Sequence, residues 1–252
     1  MGRFDGSTAV VTGAGSGIGR CSAERFAAEG ATVVCVDLAG DALAEVADRI
    51  GGIAVAGSVG EPATWREVVA AAETARPLRA AHLNAGVYGW TGAIEDLPPD
   101  VYRRTTSANI DGVVLGVSAL VPLLRRAGGG ALVATASVAG LAAFSPNPIY
   151  TMTKHAVVGL VRALAPTLAA DGIGIAAVCP GVVDTPMTVE ATGGGSIDAS
   201  ALPMPLIPPA AVVDSVIALA SERAQGTCRA VLPHGTVDWE FGGWERLMPQ
   251  RG

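Results

Sequence analysis

Short β-branched runs alternate with longer helical stretches from Thr8 to Leu232, and this order limits the possible folds more than any other feature of the chain. Thr8–Thr12 reads as a buried strand, followed by a helix over Gly17–Glu29 that stops at Gly30. Strand Thr32–Asp37, helix Asp41–Ile50 and strand Ile53–Ala56 come next. Helix Pro62–Ala75 opens on a proline suited to the first helical turn. Ala80–Asn84 and Ala131–Ser137 read as strands flanking a long helical stretch near Pro99–Arg126. Helix Ile149–Ala170, strand Ile175–Cys179, helix Pro209–Ser221 and strand Arg229–Leu232 complete the order. Continuous apolar strands alternating with helices predict an α/β fold of about seven parallel strands covered on both faces. No linker or repeat interrupts residues 1–252, which predicts a single domain. Met187–Pro208, rich in Gly, Ser and Pro, is expected to be a loop at the substrate side. Pro166 should kink or shorten the helix that contains it.

The turn after the first strand reads Thr12-Gly13-Ala14-Gly15-Ser16-Gly17-Ile18-Gly19. Glycines let a backbone approach a pyrophosphate closely, and the following helix offers free N–H groups. An acid, Asp37, ends the second strand twenty residues beyond Gly17, as expected for a carboxylate that binds a ribose diol. A carboxylate there repels a 2′-phosphate, and neither Ser16 nor Leu38 supplies a cation to offset it. The expected cofactor is NAD rather than NADP, on a Rossmann-type doubly wound sheet.

Lys154 is the one lysine among seventeen basic residues, four positions after Tyr150. The spacing puts both on one helix face. A compact ammonium differs chemically from the planar guanidinium used everywhere else in the chain. Beside a phenol it favours phenolate, so the Tyr150 pKa is expected below its usual value of about 10. That would give a proton donor and acceptor usable near neutral pH.

Composition removes several other functions. A net charge of −6 without a basic block argues against nucleic acid. No uncharged apolar run reaches the length of a membrane span, and no signal-like stretch precedes the first strand. Cys21, Cys35, Cys179 and Cys228 are scattered without C-x-x-C spacing, which predicts buried free thiols in a reducing, cytoplasmic setting. His82, His155 and His234 lack metal-ligand spacing, so no metal site is expected.

These motifs together resemble the short-chain dehydrogenase/reductase family. They run in order through the Thr12–Gly19 turn, Asn84-Ala85-Gly86, Asn109, Ser137, Tyr150-x-x-x-Lys154 and Pro180-Gly181. The resemblance implies a catalytic centre of Ser137, Tyr150 and Lys154 assisted by Asn109. Tyr150 would exchange the alcohol proton, Lys154 would bond the nicotinamide ribose, Ser137 would bond the substrate oxygen, and Asn109 would anchor a relay water. It also implies cofactor contacts from Gly13, Ser16, Gly17, Ile18, Gly19, Asp37, Leu38, Ser58, Val59, Asn84, Ala85, Gly86, Tyr150, Lys154, Pro180, Gly181, Val183 and Thr185. Thr185 and the Val183 backbone would lie by the nicotinamide carboxamide. The family's long helices pair across a dimer, and Ile149–Ala170 is apolar enough for a homodimer or homotetramer.

Three departures qualify the likeness. Ser58 stands where an adenine-contacting aspartate is usual, Leu83 replaces the first asparagine of an Asn-Asn-Ala-Gly motif, and residues 233–252 replace a glycine-rich ending. That tail carries Trp239, Phe241 and Trp244, which could cover a pocket or act as an anchor. Candidate substrate walls are Val87-Tyr88, Val138–Phe144, Pro146-Asn147 and Met187, mostly apolar and without a cation to clamp a carboxylate or phosphate. They predict a lipophilic secondary alcohol or its ketone as substrate. The alternatives are an NADP-preferring carbonyl reductase of the same fold, against which Asp37 argues, and a non-catalytic NAD-binding sensor or scaffold, against which Ser137, Tyr150 and Lys154 argue.

Overall fold

A computed structural model describes residues 2–38, 40–193, 202 and 204–242. Seven parallel strands form one sheet: β1 (Thr8–Thr12), β2 (Thr32–Asp37), β3 (Ile53–Ala56), β4 (Leu78–Leu83), β5 (Gly130–Thr135), β6 (Ile173–Pro180) and β7 (Gln225–Leu232). An antiparallel eighth strand, β8 (Gly235–Asp238), closes one edge, giving the order β3-β2-β1-β4-β5-β6-β7-β8. The doubly wound expectation holds, with β8 as an addition in a tail that carried no strand pattern. Every residue of β1, β5 and β6 is buried, which is why these strands read as unbroken apolar runs.

Two cores lie on opposite faces of the sheet. On one side helices α1 (Gly17–Ala28), α2 (Asp41–Ile50) and α8 (Pro209–Glu222) cover Val11, Val33, Val133 and Val178. On the other, α3 (Pro62–Thr74), α5 (Gly112–Arg126) and α6 (Pro148–Ala169) cover Val10, Val34, Leu132 and Ile175. The alternation of neighbouring residues between faces is the strand period of two. The stretch Pro99–Arg126 is a run of α4 (Pro99–Thr106), a π turn (Ser107–Asp111) and α5. Its length and composition would suffice to cross a membrane, yet half of its most apolar stretch is buried within this fold.

Two local expectations change. Pro166 does not shorten α6, which continues to Ala169. The buried residues Val161, Ala165 and Leu168 hold the helix to the core on both sides of the proline. The segment 187–208 is not wholly structureless: α7 (Pro186–Ala191) begins it, and Ile207 returns to bridge Val183. The Ile207 N–H donates to the Val182 carbonyl at 2.8 Å, anchoring the far end of this segment.

The described part of the tail, residues 233–242, packs on its own chain. The Phe241 ring lies 3.8 Å from the Arg162 guanidinium carbon, and the Trp239 N–H donates to the Cys228 carbonyl. Both therefore serve as an anchor, while Trp244 lies outside the described residues.

Candidate active site

The cleft lies at the carboxyl ends of the strands, where β1 and β4 pair and the chains after them diverge. Thr12 joins the two sides there. Its hydroxyl accepts from the Asn84 and Ala85 N–H groups at 2.9 and 3.0 Å, and its carbonyl accepts from the Asn84 amide nitrogen at 3.1 Å. Gly13 has φ +68, a conformation that suits glycine. A Cβ at Gly19 would stand 1.9 Å from the Gly13 carbonyl oxygen, so only glycine lets α1 start this close to the turn. The Arg20 N–H is bonded to the Ser16 carbonyl, whereas the first three N–H groups of α1, from Gly17 to Gly19, precede the intrahelical ladder. Asp37 is fixed at the end of β2 by the Gly15 N–H on Oδ2 (2.8 Å) and the Leu38 N–H on Oδ1 (2.7 Å). A glycine-rich turn, free helix N–H groups and an oriented carboxylate fit a dinucleotide.

One cavity of about 770 Å³ runs from this turn to the α6 side. Lining it at the cofactor end are Gly13, Ser16, Gly17, Ile18, Asp37, Leu38, Ser58, Val59, Asn84, Ala85 and Gly86. Pro180, Gly181, Val183 and Thr185 line it farther on, together with Ser137, Tyr150 and Lys154. Gly19 does not line it and serves by close packing instead. Of the expected walls, Val87, Tyr88, Val138, Ala139, Phe144 and Met187 reach the cavity. Pro146 and Asn147 do not. Asn147 is fully buried as the N-cap of α6, accepting from the Tyr150 N–H at 2.9 Å and donating to the Tyr88 carbonyl at 2.7 Å. It thereby positions the start of the tyrosine helix against the loop that carries Tyr88.

Tyr150 and Lys154 share the inner face of α6, as the spacing requires. The Lys154 ammonium lies 5.4 Å from the Tyr150 ring centre and donates to the Thr135 carbonyl at 2.8 Å. The Tyr88 ring packs 5.3 Å from that of Tyr150. The charge expectation needs correction here. Burial pushes the Tyr150 phenol up to about 12, opposed in part by hydrogen bonding with Ser137. Burial also pushes Lys154 down to about 8. Desolvation is the largest influence on both groups in this cleft.

Ser137 ends the β5 region, where its hydroxyl accepts from the Ala139 N–H at 3.1 Å and caps a short 3-10 turn, Val138–Gly140. Asn109 sits in the π turn, buried and off the cavity. Its amide nitrogen donates to the Val87 carbonyl and the Thr153 hydroxyl at 2.9 and 3.1 Å, and its Oδ1 accepts from the Val87 N–H at 2.8 Å. Its two amide protons are therefore committed to the loop after β4 and to α6, leaving one lone pair on Oδ1 for a further donor. Sequence reasoning gave no role to the Thr12 and Thr153 hydroxyls or to the Thr135 carbonyl, which carry these contacts, and missed Arg104, which lines the cavity. A lone hydroxyl has no spacing signature by which to find it.

Comparison with known proteins gives a consistent result. Residues 7–194 match the family model described as short chain dehydrogenase. Cyclohexanol dehydrogenase of Acinetobacter sp. (strain SE19) is 38% identical over 194 residues, covering 75% of this chain and 77% of that protein. Meso-2,3-butanediol dehydrogenase of Serratia marcescens is 38% identical over 193 residues, covering 74% and 75%. The crystal structure of a 3-ketoacyl-(acyl-carrier-protein) reductase from Brucella melitensis complexed with NADH superposes with a TM-score of 0.83 at 29% identity, covering 90% and 97% of the two chains.

The lysine environment has a measurable consequence for stability. Its folded-state pKa near 8 lies below the ordinary 10.5, so between these values the folded chain binds fewer protons than the unfolded one. The burial penalty is full below pH 8 and fades as pH rises toward 10.5. Urea unfolding from pH 7 to pH 10 should show the wild type gaining about 2–3 kcal/mol relative to Lys154→Met. A pH-independent difference would contradict this environment.

Proposed function

The chain belongs to the short chain dehydrogenase family, and from that premise we propose that it interconverts a lipophilic secondary alcohol and its ketone with NAD as hydride carrier. The observation that carries the reading is a single cavity with the glycine turn and Asp37 at one end and Ser137, Tyr150 and Lys154 at the other. NAD, when bound, supplies the acceptor or donor of the hydride. The residues of the chain do the rest. Tyr150 gives its phenolic proton to the forming alkoxide during ketone reduction, or takes the hydroxyl proton during oxidation. A phenol held near 12 keeps its proton at neutral pH, which suits the reducing direction. For oxidation it must be shifted down, and Lys154 is the cation within reach to do so. Ser137 holds the substrate oxygen and stabilises charge developing on it. Asn109 holds the loop after β4 in register with α6 through Val87 and Thr153.

The substrate side supports an apolar molecule. Tyr88, Phe144, Met187, Leu202 and Met204 line it, with residues of α7 on the same wall. Relatives named for cyclohexanol and meso-2,3-butanediol act on secondary alcohols, in keeping with this chemistry. Asp37 favours NAD by accepting from a ribose diol and repelling a 2′-phosphate. The second reading, an NADP-preferring reductase, draws support from Arg104, the one guanidinium on the cavity wall among the described residues. An apolar groove between α5 and α6, lined by Ile110, Val114, Ala156 and Leu160, supports assembly as a homodimer or homotetramer. The three buried cysteines, all free, fit a reducing cytoplasmic setting.

Two variants test the assignment. Tyr150→Phe should lower kcat on a secondary alcohol such as cyclohexanol by about 10²–10⁴-fold while NAD still binds; undiminished turnover would remove the acid/base role. Asp37→Ala should lower the preference for NAD over NADP by about tenfold or more, the equivalent of about 1.4 kcal/mol. An unchanged ratio of kcat/KM values would mean that another residue reads the ribose.

A further inference from the structure

One fully buried histidine, His82, interrupts the apolar strand β4 and has no role in the chemistry described above. Its ring joins helix α1 to the strand that holds Lys154. Nδ1 lies 2.9 Å from the Ser22 hydroxyl, and Nε2 lies 2.9 Å from the Thr135 hydroxyl. The direction of every proton in this chain follows from one fixed point. The Thr12 carbonyl can only accept, so the Asn84 amide must turn its NH₂ toward it. The Asn84 carbonyl oxygen then faces Thr135, whose hydroxyl donates to it at 3.0 Å. With its one proton spent, Thr135 must accept from His82, so the ring carries its proton on Nε2. Nδ1 is then an acceptor and Ser22 must donate. A doubly protonated ring would donate from Nδ1 to the Ser22 hydroxyl and force Ser22 to turn its own proton away from the ring, and burial independently pushes His82 down to about 3.

The far end of the chain reaches the proposed catalytic group. The backbone carbonyl of the same Thr135 accepts from the Lys154 ammonium at 2.8 Å. Side chain and carbonyl of one residue thus connect Asn84 on the cofactor wall with Lys154 beneath Tyr150. We propose that His82 is a positioning residue which, as a neutral Nε2–H imidazole, sets through Thr135 both the Asn84 amide and the seat of Lys154. This rests on the functional reading above, because it assigns His82 a part in that site's cofactor binding and proton transfer.

The test uses the full chain with NAD and cyclohexanol as probes and three variants. His82→Leu removes both ring contacts. His82→Asn can place an acceptor near the Nδ1 position but no donor toward Thr135. His82→Gln can place a terminal N–H₂ near the Nε2 position and so retains the contact that matters. His82→Leu and His82→Asn should each weaken NAD binding, followed by tryptophan fluorescence, and lower kcat by about tenfold, whereas His82→Gln should recover to within about threefold of wild type. A merely structural histidine would instead lower the unfolding midpoint of all three variants while leaving the kinetics of the folded fraction intact. That pattern, or equal activity of His82→Asn and His82→Gln, would overturn the proposal. Nitrogen-15 NMR of the ring should show the neutral Nε2–H tautomer from pH 5 to pH 8 without titration, and an Nδ1–H form would also overturn it. If the wild type neither binds NAD nor oxidises any secondary alcohol, the functional reading fails and the proposed role goes with it. The ring tautomer would then still report whether the hydrogen-bond chain exists, so the two failures are distinguishable.

Discussion

The Thr12 side chain fixes where the cleft can open. By accepting from two successive N–H groups of the loop after β4, its hydroxyl ties the end of β1 to Asn84 and Ala85. These are the two strands at which the sheet order turns back on itself, so the chains that follow them diverge and leave a crevice. The glycine turn then leads straight into α1, and the close approach of Gly19 to the Gly13 carbonyl sets the helix start on the crevice floor. Loss of the Thr12 contacts would leave two partly buried N–H groups without this partner and free the wall that carries Gly86.

Burial and charge compete at the other end of the same crevice. Helix α6 brings Tyr150 and Lys154 to one face, but the walls that shape the cavity also strip both groups of water. The result in this cleft is a phenol held as the acid and an ammonium that has been made easier to deprotonate. In the proposed reaction a site in this state would donate a proton. As a proton acceptor it would need positive charge beside the phenol, which Lys154 and the pyridinium of an oxidised nicotinamide cofactor would supply together.

Much of this was legible in the chain because its signals are periodic or spaced. Strands β1, β2 and β3 and helix α2 fall within the residues read from alternation alone, since buried parallel strands leave unbroken β-branched runs. The Tyr150–Lys154 pairing follows from helical spacing, and the turn and Asp37 from their positions around β1 and β2. What stayed hidden depends on contacts between distant residues. The pKa direction of Tyr150 is set by walls from β5, β6 and the loop after β4, none of them adjacent in sequence. Asn147 reads as a loop residue until α6 is seen to start on it. His82 has no neighbour of its own kind, and only the folded sheet brings Ser22 and Thr135 to its two nitrogens. Helix α7 and β8 are short and lie in Gly- and Pro-rich sequence, where local preference predicts turns.

The decisive measurement is an ultraviolet titration near 295 nm, where phenolate absorbs, comparing wild type with Tyr150→Phe in the presence and absence of oxidised NAD. Their difference isolates Tyr150 from the other two tyrosines. Without cofactor its phenolate should form only at the high pH that burial imposes; with NAD the transition should move down by one pH unit or more. The same transition with and without cofactor, or no spectral difference between wild type and Tyr150→Phe, would contradict a phenol made reactive by cations inside a desolvated cleft.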